Sequence, residues 1–216
     1  MFFKAPQPPR NISSEIHSNN SVDLKWLPDN STGFAELFKV HLTLESTIYE
    51  MVAGCESVKK KKITEETKES EILLEDLQPY SHYSVRIESQ NPYGISEHTK
   101  KHNIRTHPAK PSPPRKISIE FVANNESEIL VTGNLKWSPP CHPNGIIEFY
   151  TTKLTGKRDG YSEYSRKEVS FETNFTFDDL NRGYEYEFEV KAKNSESFGK
   201  PQKIFFKAPS GSKLEE

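Results

Sequence analysis

The chain has 216 residues, of which 33% are hydrophobic, and its formal net charge is −2. This composition is thin for a single large core and suits two domains of about 100 residues each. The near-neutral charge and the absence of any run of roughly 18 uncharged apolar residues predict no nucleic-acid partner and no direct membrane insertion by this segment.

The same five-residue motif occurs near both ends of the chain. The letters FFKAP stand at residues 2–6 and again at residues 205–209. At the second place the phrase ends the last strand of a repeated unit. We therefore expect residues 1–6 to be the tail of a preceding domain or an artificial extension, and residues 210–216 to be a linker or tail.

Two tandem copies of one unit emerge when the chain is compared with itself at a spacing of about 100 residues. Trp26 in DLKWLPD matches Trp137 in NLKWSPP, and order and spacing persist along both copies. Two further pairs of segments match: residues 8–16 with 113–121, and residues 77–91 with 180–194. The predicted domains are residues 7–107 and 108–209, and the prolines of residues 105–114 favour a short extended connector.

Within each copy apolar and polar residues alternate, which is the pattern of strands with one buried and one solvated face. Fifteen prolines and short runs rich in Val, Ile, Thr, Tyr and Phe favour strands over long helices. The sequence therefore predicts an all-β fold of two tandem β-sandwiches. The expected core residues are Trp26, Leu77 and Tyr83 in the first copy and Trp137, Leu180 and Tyr186 in the second.

The same series of marker residues recurs, in the same order, in both copies. The first copy has Pro8-Pro9, Trp26, Ala35 with Phe38, Leu77-x-Pro79 with Tyr83, and Asn91 with Gly94; the second has Pro113-Pro114, Trp137, Ile147 with Tyr150, Leu180 with Tyr186, and Asn194 with Gly199. In this pattern both copies resemble fibronectin type III domains. The resemblance implies seven-stranded, immunoglobulin-like sandwiches in an elongated arrangement, and it makes Tyr83 and Tyr186 tyrosine-corner residues whose hydroxyls bond nearby backbone.

Five Asn-x-Ser/Thr sequons are more than the roughly two expected by chance. They begin at Asn11, Asn19, Asn30, Asn125 and Asn174. An N-glycosylated chain passes through the secretory pathway, although the first residues lack the apolar run of a signal peptide. We expect a glycosylated piece of a longer secreted or membrane-anchored protein.

Motifs of catalysis are absent from the sequence, which has no phosphate-binding glycine loop, no Gly-x-Ser-x-Gly and no HExxH. His98 and His102 stand four apart, but in the expected last strand of the first copy that spacing separates them by about 13 Å. The sequence therefore predicts a non-enzymatic segment with no cofactor and no metal site.

The run Lys59, Lys60, Lys61 and Lys62 is the only basic cluster that could hold a ligand. Such a run can make a weak contact with a sulfated glycan. The favoured interpretation is a solvated loop before the fifth strand, because acidic residues follow closely and balance its charge.

The two cysteines fall one in each copy, so neither copy holds the internal pair of an immunoglobulin domain. Cys141 is expected just after the second strand of its copy, facing the first copy. Cys55 is expected after the fourth strand, toward the opposite end of its domain. A Cys55–Cys141 disulfide is the less favoured alternative to two thiols or to pairing outside this chain. Cys141, His142 and Asn144 are candidates to set the joint between domains.

Tandem domains of this kind resemble those in receptor tyrosine phosphatases, receptor tyrosine kinases and neural adhesion molecules, with the phosphatases slightly favoured. The resemblance implies an extracellular module for recognition of a protein ligand or co-receptor and for spacing. Phe34 and Tyr93 are the expected partner-binding residues, or else they pack against a preceding domain. The alternatives are a cytokine-receptor-like ligand-binding pair, which lacks its Trp-Ser-x-Trp-Ser signature here, and an intracellular scaffold module.

Overall fold

The structure is a computed structural model, and its contacts divide the chain into two compact units. It describes residues 4–50, 52–56, 61–123, 128–157 and 164–210. Unit 1 comprises Met1–Glu50 and Ser57–Ala109, and unit 2 comprises Met51–Glu56 and Lys110–Glu216. All regular structure in the described residues is β, and no helix among them is long and apolar enough to cross a membrane.

Unit 1 is built from two antiparallel sheets. Its strands in the described residues are β1 (Gln7–Ser18), β2 (Ser21–Asp29), β3 (Leu37–Thr47), β4 (Lys62–Thr67), β5 (Glu71–Leu74), β6 (Ser81–Asn91), β7 (Gly94–Ile95) and β8 (His102–Arg105). One sheet has the order β1-β2-β5, and the other has the order β4-β3-β6-β7, with β8 also paired to β6.

The core of unit 1 follows from the alternation in its strands. In β3 the side chains of Phe38, Val40 and Leu42 are buried while their neighbours are partly exposed. The Trp26 ring of β2 meets the Phe38 ring edge to face, with centroids 5.3 Å apart. Such contacts between inward faces of two sheets are what hold a β-sandwich together.

Unit 2 repeats this arrangement with seven strands in the described residues. They are β9 (Arg115–Ala123), β10 (Leu130–Ser138), β11 (Ile147–Lys157), β12 (Tyr164–Ser170), β13 (Asn174–Asn181), β14 (Glu185–Asn194) and β15 (Gln202–Lys207). The sheets have the orders β13-β10-β9 and β12-β11-β14-β15. Trp137 again meets an aromatic ring of the facing sheet edge to face, here Tyr150 at 5.5 Å. The predicted all-β class and the pair of sandwiches are confirmed.

The last strand of unit 1 differs from the prediction, because it is interrupted between β7 and β8. Side-chain hydroxyls replace part of the backbone ladder there: Ile87 N donates to Thr99 Oγ1, and Ser89 N donates to Ser96 Oγ. His98 lies in this irregular segment, whereas His102 begins β8. The expectation that both histidines lie on one continuous strand was wrong.

The connection between β3 and β4 also differs from the prediction. The sequence interpretation placed Cys55 after the fourth strand and the lysine run before the fifth, one strand too late in each case. In the structure both lie between β3 and β4, and Lys62 already begins β4. The described residues between these two strands, which are residues 48–50, 52–56 and 61, form no strand.

Candidate functional site

The exposed aromatics Phe34 and Tyr93 lie on two loops of unit 1 that one buried asparagine holds. The Asn91 side chain donates to the carbonyl oxygen of Phe34 at 3.1 Å, and its Oδ1 accepts from the backbone N–H of Tyr93 at 2.9 Å. Phe34 is 70% exposed and Tyr93 is 53% exposed. Two loops far apart in sequence therefore share one anchor, while their aromatic side chains remain exposed.

The first described residues of the chain pack against the same loops. Asn91 Nδ2 also donates to Lys4 O at 2.9 Å, and Thr32 Oγ1 donates to Ala5 O at 2.8 Å. A Cβ at Gly33 would lie 2.5 Å from Lys4 O, so this close approach needs glycine. The segment at residues 4–5 is thus part of unit 1 rather than a detached end.

Unit 2 has a buried asparagine at the matching place. Asn194 is fully buried, its Nδ2 donates to Pro143 O at 2.9 Å, and its Oδ1 accepts from the N–H groups of Glu196 and Ser197. These bonds satisfy backbone groups of two loops that have no strand partner. Each unit therefore fixes two of its loops through the side chain of a buried asparagine.

A cluster of two exposed phenylalanines and one partly exposed phenylalanine lies on unit 2, and it was not among the sites predicted from the sequence. The Phe149 ring lies 6.3 Å from the Phe171 ring and 6.1 Å from the Phe198 ring, both edge to face. Phe171 is 78% exposed, and Lys193 Nζ lies over the Phe198 ring. The available signal was Phe149 itself, an aromatic residue beside the inward-facing Tyr150.

Each unit contains one tyrosine whose hydroxyl accepts a hydrogen bond from the backbone five residues before it. Gln78 N donates to the Tyr83 hydroxyl at 2.6 Å, and Asn181 N donates to the Tyr186 hydroxyl at 2.8 Å. Burial raises the pKa of Tyr83, and the bond from Gln78 partly offsets this because it favours the ionised form. Leu77 and Leu180, just before these turns, are buried.

The sequon asparagines differ in exposure. Asn11, Asn30 and Asn174 are exposed, and Asn19 is partly buried. Asn125 lies outside the described residues. Three of the four described sequons therefore leave their acceptor side chain accessible, which glycan attachment requires.

The structure joins Cys55 and Cys141 in a disulfide, with Sγ atoms 2.10 Å apart and Cα atoms 5.5 Å apart. The favoured expectation, two thiols or pairing outside this chain, was wrong. The error followed from the misplaced strand described above. Segment Met51–Glu56 belongs to unit 2 by its contacts, although β3 and β4 on either side of it belong to unit 1.

Arg115, which the sequence analysis did not select, holds the backbone around this disulfide. Its Nε donates to Pro139 O at 3.0 Å, and its terminal nitrogens lie 3.4–3.5 Å from the carbonyl oxygens of Ala53 and Gly54. The guanidinium fork can satisfy several carbonyl groups at once, which lysine cannot do. Arg115 is the first residue of β9 and follows two prolines, a sequence position that did not indicate this role.

His142 and Asn144 fasten the start of unit 2 to the loop after β10. His142 and Ser112 exchange two hydrogen bonds, from Ser112 N to His142 O and from His142 N to Ser112 Oγ. Asn144 Nδ2 donates to Lys110 O at 2.9 Å, and Asn144 has a positive φ of 47°. These hydrogen bonds lie within unit 2, where they fix the path of the chain at residues 110–112, and a role at the joint between the copies stays a prediction.

The basic run is described only in part. Lys61 and Lys62 are exposed, and Leu44 N donates to Lys61 O. Lys59 and Lys60 lie outside the described residues. A glycan contact at this run remains an expectation from the sequence.

The family is decided by a match that covers most of the chain. The model of the fibronectin type III domain matches residues 7–105 and again residues 112–207. The chain belongs to the fibronectin type III family. Domains of this family are non-catalytic modules, and the two copies seen in the sequence are two such domains.

Curated relatives of these fibronectin type III domains include receptors and adhesion proteins. Ephrin type-A receptor 5 of Gallus gallus is 26% identical over 206 residues, which are 91% of this chain and 19% of the relative. Cell adhesion molecule Dscam1 of Drosophila melanogaster is 22% identical over 94% of this chain and 10% of its own length. Phosphatidylinositol phosphatase PTPRQ of Homo sapiens is 25% identical, again over 94% of this chain but 8% of its own length.

The chain therefore spans less than a fifth of the length of these relatives. Among solved structures, the crystal structure of chicken CNTN1 FN1-FN3 domains is similar, with a TM-score of 0.63 and 19% identity over 94% of this chain and 67% of that chain. This likeness shows the tandem fold.

Proposed function

We propose that this chain is a non-catalytic extracellular module of a cell-surface receptor or adhesion protein, which recognises a protein ligand or co-receptor and acts as a semi-rigid spacer. The observation that carries the proposal is the pair of exposed aromatics, Phe34 and Tyr93, on loops anchored by Asn91. Exposed aromatic side chains on fixed loops lose little freedom on binding and are typical anchors of protein interfaces.

Family membership and the exposed sequons support an extracellular location for this chain. Relatives that carry the words receptor and adhesion in their names favour a membrane-anchored parent with a role in signalling or adhesion. A receptor phosphatase is one candidate parent, and a receptor kinase is another.

The first experiment tests the extracellular place. The chain is secreted from mammalian cells behind a heterologous signal peptide and treated with an asparagine-specific glycosidase. We expect a mass decrease, and Asn→Gln variants at Asn11, Asn30 and Asn174 should each remove part of it. If the mass does not change at all, the intracellular scaffold alternative is favoured instead.

The second experiment tests recognition through Phe34. The secreted chain is multimerised on a fluorescent carrier and its binding to a panel of cell lines is measured by flow cytometry. Phe34→Ser should lower the binding signal, whereas Phe205→Ser, at an equally exposed phenylalanine of unit 2, should not. Equal loss in both variants, or no loss in Phe34→Ser, would contradict the assignment of this surface.

A further inference from the structure

Three side chains on one face of unit 1 bring ligand atoms close together, and the proposed function uses none of them. They are His41, Glu88 and His98, whose ligand atoms all lie within 4.8 Å of one another. His41 Nε2 is 3.5 Å from Glu88 Oε1, and His98 Nδ1 is 3.4 Å from Glu88 Oε2. Two imidazoles and a carboxylate are a ligand set found in zinc proteins.

Neighbouring strands of one sheet place these residues. His41 lies on β3 and Glu88 on β6, diagonal to each other in the antiparallel register, and both point away from the core that Ile87 helps to form. His98 follows in the irregular segment after β7, which Thr99 fixes by donating its N–H to Ile87 O at 2.9 Å. Because the last strand is interrupted, His98 lies beside Glu88 instead of on a continuous strand with His102.

The orientation of His41 leaves one ring nitrogen aimed at the cluster. Its Nδ1 is 3.1 Å from Oγ1 of Thr64, the residue opposite it on β4. With the proton on Nδ1, Nε2 presents its lone pair toward Glu88. That Nε2 is buried and makes no hydrogen bond within the described residues. A buried lone pair beside a carboxylate is unfavourable unless a proton or a metal cation lies between them.

The distances suit a small metal ion. Ligand atoms around a tetrahedral zinc at 2.0–2.1 Å are about 3.4 Å apart, close to the two nitrogen–oxygen separations of 3.4 Å and 3.5 Å. The Glu88 side chain is only 15% exposed, whereas His98 is 46% exposed, so the cluster is open to solvent on the side of His98. Water can complete the coordination from that side.

We propose that His41, Glu88 and His98 form a binding site for a divalent transition-metal ion of the zinc class, with Thr64 orienting His41. Imidazole ligands favour Zn²⁺, Cu²⁺ and Ni²⁺ over Ca²⁺ and Mg²⁺, which prefer oxygen ligands. The bound ion links β3, β6 and the segment after β7, and it therefore stabilises the irregular end of the sheet.

The test is a Zn²⁺ titration by calorimetry of the whole chain, without a polyhistidine tag and after treatment with a chelator. We expect one site in the unaltered protein, weaker by more than about tenfold in His98→Asn and by roughly tenfold in Thr64→Val, since outer partners of metal ligands contribute about that much. His98 is exposed, so His98→Asn is expected to keep the fold. Added Zn²⁺ should also raise the Tm of the unaltered protein but not that of His98→Asn.

His17→Asn is the matched control, because the chain has seven histidines and any of them can bind zinc weakly. His17 Nδ1 is 3.0 Å from Asp23 Oδ2, and no third ligand joins this pair among the described residues. Co²⁺ in place of Zn²⁺ should give the visible spectrum of a tetrahedral histidine site in the unaltered protein and in His17→Asn. The proposal is overturned if Zn²⁺ does not bind, or if His17→Asn weakens binding as much as His98→Asn does.

Discussion

At the scale of single residues, each domain has one buried asparagine and one buried tyrosine that hydrogen-bond to the backbone of loops or strand ends. Asn91 and Asn194 occupy matching places, and so do Tyr83 and Tyr186. Loop N–H and C=O groups have no ladder partner, so these side chains provide one. The two copies therefore share these side-chain hydrogen bonds as well as the residue types that make them.

The tyrosine hydroxyls can be tested by removing a single oxygen atom. Tyr83→Phe and Tyr186→Phe should each lower the free energy of unfolding by about 1 kcal/mol or somewhat more, because a backbone N–H loses its acceptor. Chemical denaturation with urea measures the change. Tyr150→Phe is the control, since the Tyr150 side chain is buried in unit 2 but its hydroxyl accepts no hydrogen bond within the described residues.

An unchanged unfolding midpoint in Tyr83→Phe would remove the structural role given to this residue. The control also has its own expectation. Burial raises the pKa of Tyr150 to about 12, so its hydroxyl stays neutral at the pH of such measurements, and its loss should be nearly neutral for stability.

At the scale of elements, β10 depends on a glycine at its centre. This strand pairs with β9 on one side and β13 on the other. A Cβ at Gly133 would lie 2.5 Å from Leu180 Cδ1 and 3.2 Å from Ile119 Cδ1. Glycine in a strand interior often marks such a close approach of neighbouring groups.

Gly133→Ala should therefore destabilise unit 2 by about 1–3 kcal/mol, the usual range for overpacking a well-packed core. Thermal unfolding followed by circular dichroism measures the effect. Lys136→Ala, at an exposed position of the same strand, serves as the control and should change stability little. A Gly133→Ala protein as stable as the unaltered chain would show that Leu180 moves aside without cost.

The strands that the sequence predicted well are those with clear alternation. The inward residues of β3, β6 and β14 could be read directly, because burial of one face imposes a period of two. The split of the last strand of unit 1 could not be predicted from the sequence, because it depends on hydrogen bonds that backbone N–H groups of β6 donate to the hydroxyls of Ser96 and Thr99. Hydroxyl residues are ordinary in strands, so their presence gave no warning.

At the scale of the whole molecule, the disulfide joins residues 86 positions apart in sequence. Such a link restricts the unfolded chain, and the chain-entropy account gives a contribution of up to about 4–5 kcal/mol for a loop of this length. The loop runs from the segment before β4 to the loop after β10. In sequence, the loop closed by the disulfide therefore includes parts of both residue ranges that match the family.

The disulfide makes two measurable predictions. The denatured, non-reduced protein should show no titratable thiol, and a reductant should lower its Tm. The double variant Cys55→Ser with Cys141→Ser should have the lower Tm from the start and should not respond to the reductant. Two thiols per chain in the denatured, non-reduced protein would exclude the bridge.

The sequence by itself determined the repeat, the all-β class, the family and most core positions, because periodic burial and the spacing of marker residues are written in local order. Only the tertiary structure decided which distant side chains meet: Cys55 with Cys141, and His41 with Glu88 and His98. These contacts involve Cys55 and His98, which lie in described segments outside the regular strands, after β3 and after β7. Such segments have no periodicity, and their paths are set by individual hydrogen bonds between residues far apart in sequence.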